Sequence, residues 1–259
     1  MQSEAEGRVG DDLALSRAVV YRYLSDALRH PRRATLSERE WAPALEVALE
    51  EAGEAPLASL AHACLSLGAD RERVESDYGR IIGHTPRAGV PPYESEWLGA
   101  AGDLLQFHQM SDVSAFYSAF GLKLNGECDE RVDHIGIELA FLQFLCAKEA
   151  WAASRGDERL AESARDAQRS FLGEHVARWT PAFCRKLGAC GREGFYHALA
   201  EFTSRWVANE CTRLGVPCGD PTLAPGETSV TLEDTCVSCA HASSCVPGGA
   251  SSSPLEELT

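Results

Sequence analysis

Apolar residues recur at intervals of three and four over most of the first 215 residues, which is the spacing of one face of an α-helix. In the stretch "DDLALSRAVVYRYLSDALRH", Leu24 and Leu28 belong to such a face. Pro31 ends this helix, because a proline pushes the residue before it out of the α region. The same spacing predicts further helices over residues 38–52, 56–67 and 70–83.

Three prolines and three glycines interrupt the helical pattern over residues 83–99. Helical spacing resumes at Trp97 and continues in "SDVSAFYSAFGL". There Ser111 or Asp112 is predicted to cap a helix, and Gly121 is predicted to end it.

A polar, glycine-containing connector over residues 122–132 separates this helix from the rest of the chain. Beyond it the pattern predicts a long apolar helix from Asp133, a charged helix over residues 157–178 and a last helix over residues 192–214. No segment alternates apolar and polar residues as a half-buried strand does. The sequence therefore predicts an all-α fold, with a single globular multi-helix domain over residues 1–215.

The composition changes after this domain. Residues 216–259 contain no lysine or arginine, many Gly, Pro and Ser residues, and four cysteines. We interpret them as an irregular, acidic, cysteine-containing tail.

The charge balance restricts the partners of the protein. Lys and Arg total 24 against 39 Asp and Glu, a formal net charge of −15 at pH 7. Such a surface repels nucleic acid and anionic membranes and favours basic partners; the alternative is that the charge serves solubility alone. The N-terminus lacks the pattern of a secretory signal, and no apolar run is long enough to span a membrane. We therefore expect a cytoplasmic protein with no nucleic-acid partner and no stable membrane insertion.

Motifs of common catalytic sites are absent: there is no phosphate-binding glycine loop, no H-E-x-x-H and no G-x-S-x-G. The first candidate for chemistry is therefore Asp133–His134, at the start of the long apolar helix, with Glu138 four residues after His134. Local chemistry alone favours Asp133 as the helix N-cap and His134 as its partly buried neighbour. A ligand-binding or acid–base role of the pair is the alternative.

Three sequence blocks in a fixed order distinguish these roles. They are "PPYESEWL", then "MSDVSAFYSAFGL", then "ECDERVDHIGIELAFLQFL". In this order the chain resembles the redox-enzyme maturation chaperones related to TorD, DmsD and NarJ, over residues 11–215 and most strongly over residues 91–145. Tyr93 stands where these chaperones often have Trp, and Val132 stands where they usually have Pro.

The resemblance implies an all-helical, TorD-like, non-enzymatic chaperone. Such a protein binds the twin-arginine signal peptide, and often the body, of an apo molybdenum-containing oxidoreductase, and retains this catalytic subunit in the cytoplasm until its cofactor is inserted. The chaperone domain itself requires no cofactor. The positions that match the family's blocks are Pro92, Tyr93, Glu94, Phe116, Tyr117, Gly121, Asp133, His134 and Glu138.

The chemistry of such a signal peptide agrees with these residues. It offers two guanidinium groups followed by an apolar stretch, so its receptor needs carboxylates beside an apolar groove. Glu94, Asp133 and Glu138 are the candidate carboxylates. The candidate groove residues are Tyr93, Trp97 and Phe141.

The tail carries a separate candidate site in "CVSCAHASSC". Its cysteines Cys236, Cys239 and Cys245 form a C-x2-C-x5-C pattern that is typical of zinc and iron–sulfur sites. Cys218 is the preferred fourth ligand, with His241 and Cys211 as alternatives. Thiols without a metal remain a further interpretation of the same pattern.

Two other functions compete with the chaperone. One is a metal- or redox-sensing regulator that uses the tail cysteines, although the acidic balance disfavours DNA binding. The other is a helical metal-dependent enzyme that uses His134 with Asp133.

Overall fold

A computed structural model describes residues 2–33, 36–83, 89–98, 103–125 and 130–226, with the side chains of residues 2–12 and 103–104 left out. Over these residues the chain forms helices without any strand, so the all-α prediction is confirmed. The helices are α1 (Gln2–Leu28), α2 (Glu38–Glu51), α3 (Ala58–Gly68), α4 (Arg71–Ile81), α5 (Glu94–Leu98), α6 (Asp103–Ala119), α7 (Ile135–Ser154), α8 (Glu158–Phe171), α9 (Ala177–Gly191) and α10 (Phe195–Leu214). A 3-10 turn spans Ala55–Leu57, and a π-helical turn spans Leu172–Val176.

Helix α7 lies at the centre of the fold because its first half is apolar on nearly every face, and such a helix must be buried. It packs along α1 and α8. The hydroxyl of Ser25, near the end of α1, donates to the carbonyl of Gly136, near the start of α7, at 2.7 Å. Arg17 lies 3.5 Å from Glu149 towards the other end, so the two helices run antiparallel.

A buried ionic centre connects α1 to α10. The Arg17 guanidinium donates twice to the Glu210 carboxylate, at 2.9 and 2.6 Å, and the Tyr21 hydroxyl donates to the same carboxylate at 2.9 Å. Arg213 donates to Glu210 at 3.0 Å from the rim. We call these residues, together with Glu149, the Arg17 centre.

The predicted helix start at Ser111 or Asp112 is wrong. Helix α6 runs without a break from Asp103 to Ala119, and both residues lie exposed inside it. No proline or glycine interrupts this stretch, so nothing forces a new start. Gly121 does end the helix: it has a φ of 72°, and the amide of Leu122 donates back to the carbonyl of Tyr117 at 2.9 Å.

The predicted end of the charged helix at residue 178 is also wrong. The backbone stays helical from α8 through the π-helical turn into α9, which contains Pro181. A proline has no N–H, so it leaves the carbonyl four residues before it without its helical donor. Here the amide of Gly219 donates to this carbonyl, that of Ala177, at 2.8 Å.

The compact unit spans Met1–Gly226, so residues 216–226, which follow the predicted helical domain, pack with it. We call residues 216–226 the C-terminal extension. Gly219 fits closely against α9, since a Cβ there would lie 2.1 Å from the carbonyl oxygen of Arg178. The remainder of the predicted tail, residues 227–259, lies outside the described residues. In the part that is described, none of the helices is long and apolar enough to cross a membrane.

Candidate functional site

The three sequence blocks lie together in the fold. The amide of Glu94 donates to the carbonyl of Asp133 at 2.9 Å, and the amide of Ile135 donates to the carbonyl of Pro92 at 2.9 Å. These bonds pair the first block with the third through a short antiparallel bridge. The Tyr117 hydroxyl brings in the second block, because it donates to the carbonyl of Val132 at 3.0 Å.

Asp133 is fully buried, and its carboxylate is already occupied by groups of its own chain. It accepts hydrogen bonds from the amide and hydroxyl of Ser95, at 3.2 and 2.7 Å, and from two nitrogens of Arg131, at 3.0 and 2.7 Å. Arg131 also donates to Glu96 at 3.1 Å. Asp133 therefore holds the first turn of α5 against the third block.

The expectation that Asp133 caps its own helix is thus wrong, since the N-cap of α7 is His134. The Nδ1 atom of His134 accepts from the amide of Gly136 at 3.0 Å. Full burial lowers the pKa of His134 to about 4, although Glu130 opposes the shift from 3.7 Å. The imidazole is therefore neutral at pH 7, with Nδ1 as an acceptor.

Two further acidic side chains lie beside Asp133. The Glu94 carboxylate lies 3.0 Å from Nδ1 of His175. Glu138 accepts from the indole of Trp179 at 3.2 Å. Its own burial, followed by the charges of Glu94 and Asp133, raises the pKa of Glu138 well above its ordinary value. We call Glu94, Glu96, Arg131, Asp133 and Glu138 the Asp133 centre.

An open cleft of about 590 Å³ borders this centre, between α6 and the π-helical turn. Its lining includes three acidic residues, one aromatic ring, one histidine and one arginine. They are Glu94, Asp112, Glu174, Phe116, His175 and Arg178. A π-helical turn shifts the register of a helix and is frequent at functional sites. Here it presents Glu174 to the cleft while His175 contacts Glu94.

Of the predicted site residues, Glu94 and Phe116 line the cleft. Phe116 meets the ring of His175 edge-on, with the centroids 5.2 Å apart. Glu94, Asp133, His134 and Glu138 are all fully buried, so they do not form an open row of carboxylates. Gly121 is exposed in the turn after α6.

The predicted groove aromatics are mostly core residues. Trp97 is 3% exposed, and its indole donates to the carbonyl of Pro91 at 2.8 Å. Phe141 is also 3% exposed and packs on Tyr117, with centroids 4.8 Å apart. Tyr93 is half-buried beneath the guanidinium of Arg131, 4.4 Å from the ring centroid.

The sequence interpretation missed several residues of this region. Arg131 had a local signal, because an arginine two positions before a buried aspartate is a natural partner for it. His175, Glu174 and Arg178 had none, since the π-helical turn that positions them leaves no recognisable pattern. The sequence predicts only an ordinary charged helix for their segment.

The predicted metal site is only partly visible. Cys236, Cys239 and Cys245 lie outside the described residues, while Cys218 is exposed on the C-terminal extension. Among the described residues, no group of three or more His, Cys, Asp or Glu side chains could hold a metal ion. The zinc or iron–sulfur assignment therefore stays a prediction.

Comparison with known families agrees with the arrangement of the three blocks. A family model described as "Nitrate reductase delta subunit" matches residues 46–185, more than half of the 259-residue chain. The chain belongs to this family. It is the TorD/NarJ family of maturation chaperones that the blocks resemble, so that prediction is confirmed.

Individual relatives carry chaperone names. The chain is 31% identical over 123 residues to "Chaperone protein TorD" of Photobacterium profundum, covering 48% of this chain and 55% of the relative. It is 40% identical over 80 residues to the selenate reductase assembly chaperone of Thauera selenatis, covering 31% and 40%. It is 39% identical over 106 residues to the chlorate reductase assembly chaperone of Ideonella dechloratans, covering 41% and 53%.

The matched stretches thus span about half the length of these relatives, between 40% and 55%. All three relatives are named as chaperones and none as an enzyme, which agrees with the interpretation of this chain as a non-enzymatic chaperone.

Proposed function

We propose that this protein is a cytoplasmic assembly chaperone for the catalytic subunit of a molybdenum-containing oxidoreductase. It binds the twin-arginine signal peptide of the apo subunit in the cleft beside the Asp133 centre, and it retains the subunit until the cofactor is inserted. Family membership supports the chaperone role, and the names of the selenate and chlorate reductase relatives support a reductase client.

The observation that carries the binding proposal is the acidic lining of the cleft. Asp112 and Glu174 are exposed carboxylates on opposite walls, on α6 and on the π-helical turn. An arginine guanidinium forms short, often bidentate hydrogen bonds with such groups. The buried Glu94 adds negative charge to the floor of the same cleft.

One face of α6 offers an apolar surface to the apolar part of a signal peptide. Residues 105, 109, 112 and 116 lie on one face of α6 because they recur at intervals of four, three and four. Leu105 is 51% exposed and continues the face that carries Asp112 and Phe116. An extended apolar segment leaving the cleft therefore has Phe116 and Leu105 to pack on.

In this proposal the fully buried residues act by positioning. Asp133 holds α5 in place through Ser95, and so fixes Glu94 at the cleft floor. His134 caps α7, and Glu138 lies behind Glu94. The zinc or iron–sulfur prediction for the tail cysteines takes no part in this function.

A peptide-binding experiment tests the proposal. We would measure fluorescence anisotropy of a labelled peptide with two consecutive arginines followed by an apolar stretch, added to the full-length chain. The double variant Asp112→Asn, Glu174→Gln should bind at least about 10-fold more weakly, because hydrogen bonds to charged groups contribute about 1.5–3 kcal/mol each.

The matched control is Glu162→Gln, Asp166→Asn, which removes the same charge from an exposed face of α8. Equal weakening in both variants would show that only the overall charge matters. Unchanged binding in the cleft variant would place the peptide elsewhere.

A further inference from the structure

Helices α2 and α7 lie on opposite sides of α1. The Ser16 hydroxyl of α1 donates to the Glu51 carboxylate of α2, whereas the Ser25 hydroxyl donates to the carbonyl of Gly136 of α7 at 2.7 Å. Ser16 and Ser25 are nine residues apart, which is about two and a half turns of an α-helix, so they point in opposite directions. The three helices therefore form one layer with α1 in the middle.

A narrow outer stripe of α1 is exposed between its two neighbours. Over residues 14–28 every side chain of α1 is buried except four, which recur at intervals of four, three and four. They are Leu15, Val19, Arg22 and Asp26. On a helical wheel this stripe lies midway between Ser16 and Ser25. Arg22 and Asp26 pair with each other at 3.8 Å, so the stripe carries no net charge.

Three large apolar side chains are about half exposed on the outer surface of this layer. They are Leu15 of α1, Val47 of α2 and Trp151 of α7. Val47 lies one turn before Glu51, which contacts α1 next to Leu15. Trp151 lies two residues after Glu149, which lies 3.5 Å from Arg17 of α1. Both therefore lie at the level of Leu15, and we call the three residues the outer patch.

Positive charge borders the outer patch on the α7 side. Lys148 and Arg155 lie about one turn before and one turn after Trp151, and the Arg155 guanidinium lies 4.6 Å from the Trp151 ring centroid. Glu149 is the one acidic residue over positions 140–155, and it is buried and paired with Arg165 at 2.8 Å. This part of α7 therefore has no exposed carboxylate that compensates the two cations.

Negative charge borders the outer patch on the α2 side. The exposed charged residues of α2 are five glutamates and one arginine. They are Glu38, Arg39, Glu40, Glu46, Glu50 and Glu51. Val47 lies among these carboxylates, since Glu40 is about two turns before it and Glu50 about one turn after it. The layer thus has an acidic edge on α2, an apolar centre and a basic edge on α7.

We propose that this face is the interface of a symmetric homodimer. The outer patch of one chain packs on that of its copy, and the α2 edge of each chain pairs with the α7 edge of the other. A two-fold axis near Leu15, perpendicular to the layer, exchanges the two edges and so satisfies both contacts at once. A second copy fits better than a wholly acidic or wholly basic partner, because one edge of the face would repel either of these.

The size of the face agrees with a dimer. Three helices about 9 Å apart and about 30 Å long offer roughly 800 Å², which is what one partner contributes to a standard interface. Trp and Arg are enriched in such interfaces, as at Trp151 and Arg155 here. The residues of the outer patch and of its two charged edges do not line the cleft, so the dimer does not depend on the proposed client.

Sedimentation velocity over a range of concentrations tests the dimer. We expect the wild-type chain to show a reversible monomer–dimer equilibrium. Lys148→Glu with Arg155→Glu makes the α7 edge acidic like the α2 edge, so two copies repel each other, and the dimer dissociation constant should rise at least about 100-fold. A wild-type chain that stays monomeric up to its solubility limit would assign the face to a different protein and overturn the proposal.

A second set of charge reversals tests the symmetry of the interface. Glu40→Lys with Glu46→Lys and Glu50→Lys makes the α2 edge basic like the α7 edge, and this variant should also be monomeric. A mixture of the two variants should form a dimer again, because an acidic edge then meets a basic edge at both contacts. Two variants that stay monomeric in the mixture would contradict this pairing.

The matched control reverses three exposed carboxylates outside the layer, in Glu162→Lys with Asp166→Lys and Glu193→Lys. This control should dimerise like the wild type, and circular dichroism checks that every variant remains folded. A control that is monomeric as well would show that only the overall charge matters, which would overturn the proposal.

Truncation of a side chain tests the apolar centre. Trp151→Ala should raise the dimer dissociation constant at least about 30-fold, because a large aromatic side chain at the centre of an interface carries much of the binding energy. Phe107→Ala removes a 64% exposed ring from α6 and should leave the constant unchanged. Equal weakening in both variants, or none in Trp151→Ala, would contradict the outer patch as the dimer interface.

Discussion

The Arg17 centre and the Asp133 centre are both buried and ionic, but they differ in how completely their charges are paired. In the Arg17 centre, Glu210 pairs with Arg17 and Arg213, and Glu149 pairs with Arg17 and with Arg165 outside the centre. In the Asp133 centre, four acidic side chains lie together, and Arg131 contacts two of them, Glu96 and Asp133.

We propose that this difference distinguishes a structural centre from one that serves function. A closed set of ion pairs satisfies itself and needs no partner, although its burial gives it little net stability. In the Asp133 centre, burial, followed by the charges of Glu94 and Asp133, raises the pKa of Glu138, and the buried Glu94 lines the open cleft. Proteins depart from local optimality in this way at functional sites. We therefore propose that function lies at the cleft beside the Asp133 centre.

The largest effect is expected from breaking the Arg17 centre. Arg17→Met leaves the fully buried Glu210 without its main partner, and it should lower the free energy of unfolding by about 3–5 kcal/mol. Urea denaturation measures this loss. Arg22→Met, on the exposed side of the same helix, should cost less than about 1 kcal/mol. Similar losses in both variants would contradict the structural role of the centre.

A pH titration probes the neutral His134 beside the Asp133 centre. The unfolded chain binds a proton at this histidine below about pH 6.5, whereas the folded chain does so only below about pH 4. Stability should therefore fall as the pH is lowered through this window, by about 3 kcal/mol at 1.36 kcal/mol per pH unit.

The His134→Asn variant should reduce this slope while an asparagine oxygen still caps α7. Exposed His108→Asn is the control and should keep the wild-type slope. The two slopes come from urea denaturation between pH 4 and 7. An unchanged slope in His134→Asn would mean that His134 is not held neutral.

At Glu138 we expect a smaller effect, in which stability falls as the pH rises and not as it is lowered. Its raised pKa means that the folded chain retains a proton above pH 4.5 that the unfolded chain releases, so this group lowers stability as the pH rises. Glu138→Gln keeps the acceptor for Trp179 and should stabilise the fold at pH 7 by an amount of the order of 1 kcal/mol.

The gain from Glu138→Gln should disappear near pH 4, where the carboxyl group is protonated in both states. Thermal unfolding at the two pH values measures it. The Arg17 centre offers the contrast, because Glu210→Gln should destabilise at pH 7 by weakening an ion pair. If Glu138→Gln also destabilises at pH 7, Glu138 is not a protonated carboxyl group.

The sequence predicted the helices of the fold well, and it predicted the region of the site better than the geometry of its residues. Apolar periodicity in α7 and α10 is strong, because burial on several faces leaves a clear pattern. The three blocks identified the family and therefore the segments that meet. Local reasoning failed at Asp133, since the helix that this residue supports is α5, which is distant in sequence.

Other features of the fold leave no recognisable pattern in the local sequence. The π-helical turn joins α8 to α9 and packs against α7, and Pro181 is tolerated inside α9 because Gly219 donates to the carbonyl that it leaves without a donor. Both depend on contacts over long sequence separations, which a helical pattern does not encode. The Arg17–Glu210 pair joins residues 193 positions apart and was missed for the same reason.

The most direct test of the account is hydrogen–deuterium exchange of the full-length chain with and without the twin-arginine peptide. We predict slower exchange in α6 around Asp112 and Phe116 and in residues 172–178, with the Arg17 centre unchanged and no effect from a peptide whose two arginines are replaced by alanine. Protection confined to other helices, or equal protection by the alanine peptide, would contradict a cleft that recognises arginine beside the Asp133 centre.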